Sequence, residues 1–165
     1  MNLTPRGDYY NGQFFSTNKA TDEVLNKFCP AETSLNLWNV GVDYSNTEKV
    51  INSAIDGFES WRKLSIEQRS EYLKKFQEVA AKKKDQIAMA IALETGKPLW
   101  ESLTEAGAVA AKVGVTLADS KQRIQTQTID KVLPNITGHT IKKPLGVSLV
   151  IGPFNFPCHL ANGQI

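Results

Sequence analysis

The sequence predicts an α/β chain in which helix dominates residues 45 to about 121, followed by a β-hairpin and one core-type strand. Three observations predict this. Two Ser-x-x-Glu/Gln boxes, Ser45-Asn-Thr-Glu48 and Ser65-Ile-Glu-Gln68, each precede apolar residues at helical spacing. From Arg123 the chain turns to β-formers that alternate with polar residues. Residues 145–151, Leu-Gly-Val-Ser-Leu-Val-Ile, are nearly all apolar and lie between Pro144 and Gly152-Pro153, which is how a strand buried on both faces of a parallel sheet reads.

Two short strand-like pieces come first, around residues 9–15 and 35–40, with Asn11-Gly12 as a tight turn. The Ser45 box opens a helix whose apolar residues are Val50, Ile51, Ala54, Ile55, Phe58 and Trp61. The Ser65 box opens a second, with Tyr72, Leu73, Phe76, Val79 and Ala80 on one face. Asp85 is placed to cap a third, from Gln86 to about Thr95, whose Ile87, Met89, Ala90, Ile91 and Leu93 make it central. Gly96 ends that helix and Pro98 starts the next as its first residue. The fourth helix carries a stripe of Leu99, Trp100, Leu103, Ala106, Gly107, Ala110, Val113, Gly114 and Leu117, whose small members read as a groove for close helix packing. A hairpin follows, from about Ile124 to Ile141, with Leu133-Pro-Asn135 as its turn.

Composition excludes several classes. With 41% hydrophobic and 22% charged residues the chain is an ordinary globular domain, and a net charge of +2 gives no case for a nucleic-acid partner. Lys82-Lys83-Lys84 reads as a solvated helix end. Met1 to Asp8 lacks a signal-peptide core and no apolar run is long enough for a membrane span. Cys29 and Cys158 are far apart and lack metal-ligand spacing, so the expectation is a cytoplasmic protein without disulfide or metal.

The residues that speak of chemistry follow the apolar run: Gly152-Pro-Phe-Asn-Phe-Pro157. Ligands of open α/β sheets bind beyond the carboxyl ends of the strands, where Asn155 stands. A primary amide donates two uncharged hydrogen bonds, and aimed at a carbonyl under attack it stabilises the charge as it forms. The alternative is a turn asparagine bonded to its own backbone, and the residues leave both readings open. Cys158 and His159 suggest a nucleophile and base, but adjacent side chains diverge, which favours a structural role. Glu94 and Lys97 flank a helix end, where such charges are common. No glycine fingerprint for dinucleotide phosphates and no P-loop occurs.

Glu94-Thr-Gly-Lys-Pro98, then Pro144-x-Gly146, then Gly152-Pro-Phe-Asn-Phe-Pro157, in that order, resemble the N-terminal portion of the aldehyde dehydrogenase superfamily across the whole chain. Thr95-Gly-Lys-Pro-Leu-Trp-Glu-Ser102 and Asn155-Phe-Pro-x-His-Leu-x-Asn-Gly163 resemble one branch, the N-succinylglutamate 5-semialdehyde dehydrogenases of arginine catabolism. Cys158 and Ala161 replace a Gly and a Pro usual in that branch, Gln164 replaces a His, and Phe154 stands where most of the superfamily has Trp.

The resemblance implies oxidation of a small aldehyde by a cysteine thiolate, with hydride transfer to NAD or NADP and hydrolysis by a glutamate-activated water. It makes Asn155 an oxyanion donor and puts Ile151, Gly152, Pro153 and Phe154 along the nicotinamide-ribose side of the cofactor cleft. It divides the chain into a helical part of the cofactor domain (1–122), an oligomerisation hairpin (123–143) and the first strand and active-site loop of a Rossmann-like sheet (144–165). By the same resemblance the chain is about the first third of a homo-oligomeric enzyme. Nucleophile, base and ribose-binding lysine would then lie beyond Ile165, leaving these residues inactive alone and without tight cofactor binding. Cys158 sits in a different motif from the nucleophile. A non-catalytic helical module, or a gene remnant, is the alternative; a minimal NAD-binding protein is disfavoured because one strand forms no cleft.

Overall fold

A computed structural model describes residues 3–16 and 23–165; Met1 and Asn2, part of the polar N-terminus, lie outside the described residues. β1 (Asp8–Tyr10) and β2 (Gln13–Phe15) pair antiparallel across Asn11-Gly12. Both turn residues have positive φ, 48° and 78°, as a type I′ turn requires. Tyr10 stacks on Phe15 with ring centroids 4.0 Å apart. β3 (Val24–Cys29) pairs antiparallel with β4 (Glu32–Gly41) across Pro30-Ala31. The piece expected at 35–40 is thus the middle of a longer strand, and its partner β3 is not among the expected strands. Val24, Leu25 and Asn26 are all exposed in β3, so no alternation marks it.

Four helices follow: α1 (Thr47–Trp61), α2 (Ile66–Lys82), α3 (Lys84–Thr95) and α4 (Leu99–Ile124). The Ser65 box forms as expected: Ser65 Oγ accepts from Gln68 N at 3.1 Å, and Gln68 Oε1 accepts from Ser65 N at 2.9 Å. The Ser45 box does not form. Asp43 takes its place, accepting from Ser45 N at 3.0 Å and from Ser45 Oγ at 2.6 Å, and so caps a single 3₁₀ turn (Tyr44–Asn46) ahead of α1. Asp85 caps nothing either. Lys83 N bonds back to Val79 and Ala80 while Lys83 O accepts from Ile87 N, so one residue joins α2 to α3 and Asp85 falls inside the first turn. Lys82, Lys83 and Lys84 are exposed at that joint.

Gly96 ends α3 at φ 76°. Pro98 precedes α4 as its extended N-cap, rather than its first helical residue, and its carbonyl accepts from Glu101 N and Ser102 N. α4 packs against α2 and α3. Its buried face is Ser102, Glu105, Ala106, Val109 and Val113, and Ala106 meets Ala88 and Ile91 of α3 to form the small core. Close approach rests on the alanines. Gly107 and Gly114 face the long side chains of Lys84 and Gln77 at ordinary contact distances, so the expected glycine groove is filled by flexible chains.

β5 (Gln127–Leu133) and β6 (Ile136–Thr140) form the expected hairpin, although helix persists to Ile124. Pro134 followed by Asn135 at φ 63° is the order of a type II turn. The hairpin is almost wholly exposed.

The strand expected at 145–151 is the main correction. Those residues run as irregular chain, with Leu145 fully exposed and Leu149 and Ile151 at 87% and 82% exposure. The described residues form three separate two-stranded sheets and no parallel one. A strand satisfies its backbone only through neighbours, and among the described residues 145–151 has none.

Candidate active-site loop

Residues 152–157 leave the extended segment and turn back on themselves before α5 (His159–Asn162). A methyl group on Gly152 would stand 3.1 Å from both Pro157 O and Ala161 Cβ, so the lack of a side chain lets the loop close. Asn162 Nδ2 donates to Val109 O of α4 at 2.9 Å, holding α5 to the helical body.

A carboxylate absent from the expected site does more. Glu105, 3% exposed on α4, accepts from the backbone N–H groups of Cys158 (3.1 Å) and His159 (3.2 Å) through Oε1. Its Oε2 accepts from Lys97 Nζ at 3.0 Å. The Lys97 ammonium also lies 3.7 Å from the centre of the Phe156 ring and 3.5 Å from Glu101. One signal in the sequence marks it: Glu101 and Glu105 stand four residues apart on one face of α4, and Lys97 precedes Glu101 by four, just ahead of the helix.

The Glu94-Thr-Gly-Lys segment is thereby accounted for as structure. Glu94 Oε1 accepts from Trp38 Nε1 of β4 at 2.9 Å. Thr95 Oγ1 donates to Ile91 O at 2.7 Å and accepts from Lys97 N at 3.3 Å, closing the turn at Gly96. The side chains of Glu94, Thr95 and Lys97 tie β4, α3, α4 and the loop together.

Asn155 sits exposed at the tip of the loop, and among the described residues its amide has no protein partner. Phe154, 92% exposed, and Ile151 project on the same segment, Gly152 is exposed and Pro153 half-buried. Cys158 packs beneath, against Ala88, Ile91 and Ala106. Burial, then the nearby carboxylates of Glu105 and Glu94, push its thiol up from 9.0, the reverse of what a nucleophile needs. His159 Nδ1 is buried without a partner among the described residues. Among them, too, no cluster of three or more His, Cys, Asp or Glu side chains is arranged for a metal, and no helix is long and apolar enough to cross a membrane.

The profile of the aldehyde dehydrogenase family matches residues 16–165. An N-succinylglutamate 5-semialdehyde dehydrogenase of Legionella pneumophila (strain Corby) is 36% identical, over 99% of this chain and 32% of its own length. One from Burkholderia ambifaria is 41% identical, over 73% of this chain and 24% of its own. The chain therefore spans about a third or less of these curated relatives. Among solved structures, an NADP-dependent enzyme of E. coli superposes with a TM-score of 0.80 and 27% identity, over 93% of this chain and 31% of that one. An NAD-dependent aldehyde dehydrogenase of Sinorhizobium meliloti gives 0.84 at 19% identity, over 98% and 32%, a likeness of fold. The family match covers the helical body, the hairpin and the closed loop alike, and on that evidence the chain belongs to the aldehyde dehydrogenase family.

Proposed function

We propose that this chain supplies the oxyanion donor of an NAD- or NADP-dependent aldehyde dehydrogenase acting on N-succinylglutamate 5-semialdehyde, a step of arginine catabolism. The observation that carries the reading is the state of Asn155. Its amide stands exposed and unpartnered at the tip of a loop pinned from behind, and a turn asparagine would have its amide engaged by its own backbone. Similarity to dehydrogenases of that name along 99% of the chain supports the substrate.

The chemistry of the donor is simple. As a nucleophile adds to the aldehyde, the carbonyl oxygen gains negative charge, and an Nδ2–H already directed at it stabilises that charge without reorganising. A neutral amide suits the task, because it donates without offering a proton that the oxyanion could take. NAD or NADP, when bound, accepts the hydride. Ile151 and Phe154 fit such a group, presenting exposed apolar surface beside backbone with no side chain at Gly152. The exposed apolar hairpin β5–β6 fits an oligomerisation arm, and residues 1–122, 123–143 and 144–165 remain the divisions we propose. Cys158, held as a neutral thiol, is left out of the chemistry, so these residues by themselves are not expected to turn over.

The test uses this chain continued by the C-terminal two-thirds of the Legionella relative. Asn155→Ala should lower kcat about 10²–10³-fold, with NAD affinity little changed. Asn155→Asp should do at least as much harm, since it sets a negative charge against one that is forming. Unchanged kcat in Asn155→Ala, with lost stability, would make Asn155 a turn residue.

A further inference from the structure

A donor at a loop tip is useful only if the loop holds still, and residues 152–157 contain no regular secondary structure to hold it. Pro153 and Pro157 fix one φ each, which leaves the rest of the loop free. Contacts made just after Asn155 supply what is missing. Lys97 covers the ring of Phe156, the next residue, while Glu105 holds the N–H groups of Cys158 and His159.

We propose that Glu105 is a positioning residue that holds Asn155 at the oxyanion, with Lys97 as the counter-ion of its buried carboxylate. The proposal rests on the reading of Asn155 given above and acts entirely through it. The two carboxylate oxygens of Glu105 divide the work, one on the loop and one on Lys97, and at 3% exposure water does not compete for either. Lys97 neutralises the buried charge of Glu105 from a place over the Phe156 ring. Glu105 rises from α4, a helix of 26 residues, so the loop inherits the rigidity of a packed element. Misplacement of a reacting group by about 1 Å can lower a rate about 100-fold, which sets the scale of what this anchoring protects.

The test needs variants that leave no lone buried charge. In the continued chain described above, K97M/E105Q keeps an acceptor oxygen for the two N–H groups, and K97M/E105L, of similar size, has none. With N-succinylglutamate 5-semialdehyde and NAD as substrates, K97M/E105Q should stay within about threefold of the parent in kcat, because the N–H groups keep their acceptor. K97M/E105L should lose about 10–100-fold in kcat while KM for NAD stays within about twofold. In an Asn155→Ala background the two pairs should have the same kcat. Equal kcat with Asn155 present, or a loss that persists undiminished once Asn155 is alanine, overturns the positioning role and leaves Asn155 as donor intact. An Asn155→Ala enzyme with parental kcat overturns both. If K97M/E105L is recovered unfolded, Glu105→Gln replaces it: its NH₂ group faces the Lys97 ammonium, kcat falls, and adding Lys97→Met restores it. Failure of that restoration also overturns the proposal.

Discussion

α3 and the segment 145–151 carry nearly the same kind of sequence and have opposite fates. Ile87, Met89, Ala90, Ile91 and Leu93 lie in a helix that gives the core Ala88 and Ile91, both at 2% exposure or less. Leu145, Val147, Leu149, Val150 and Ile151 lie in irregular chain, where Leu145 is bare. Hydrophobicity does not separate them. A helix closes its own backbone hydrogen bonds within four residues and then needs only one packed face, which α4 provides. A strand closes none of its own, so an apolar run becomes a strand only when neighbouring strands stand beside it. Local sequence therefore decides the first kind of element and only nominates the second.

The largest expected effect lies on the helical side of the comparison. Ile91→Ala should destabilise the chain by about 2–4 kcal/mol, through lost burial and an unfilled space against Ala106. Urea unfolding followed by circular dichroism measures it. A change below about 0.5 kcal/mol, the size typical of surface sites, would mean that α3 is not the core element its burial indicates.

A smaller effect tests how far local sequence decides. Ser65→Ala should cost about 1 kcal/mol, since two backbone donors at the start of α2 lose their reciprocal cap. The same change at Ser45 leaves Asp43 without its two Ser45 bonds only in part, because the Ser45 N–H remains, and should cost less than Ser65→Ala in the same urea series. Equal costs would mean that the two boxes work alike after all.

What was legible follows the same division. The Ser65 box, the Gly96 stop, both small turns and the hairpin β5–β6 are short-range patterns, and each stands where the sequence puts it. Ser45 misleads because Asp43, two residues earlier, is the stronger acceptor and takes Ser45 as its donor. β3 was hidden because its pairing with β4 is written in the partner and its own burial does not alternate. At the site, Asn155 was legible as a polar residue between prolines. Glu105 was marked only by its four-residue spacing from Glu101, and its role was not legible, since that lies in contacts with residues 53 and 54 positions away.

The smallest expected effect is the sharpest test of the contrast. In this chain Leu145→Ser should change stability by no more than about 0.5 kcal/mol, although leucine to serine in a core is among the costlier exchanges. Leu145 is fully exposed, so the substitution removes no buried surface, and the irregular backbone around it has no ladder to lose. Amide exchange supplies the independent measure. The N–H groups of residues 145–151 should exchange with little protection, whereas those of Ala88 and Ile91 should require opening of the helical core. In the continued chain the expectation reverses: with neighbouring strands alongside, the amides of 145–151 should become protected and Leu145→Ser should cost measurably more. Protection of 145–151 in the 165-residue chain alone would show the segment finding a partner unaided, and the rule drawn from α3 would not hold for it.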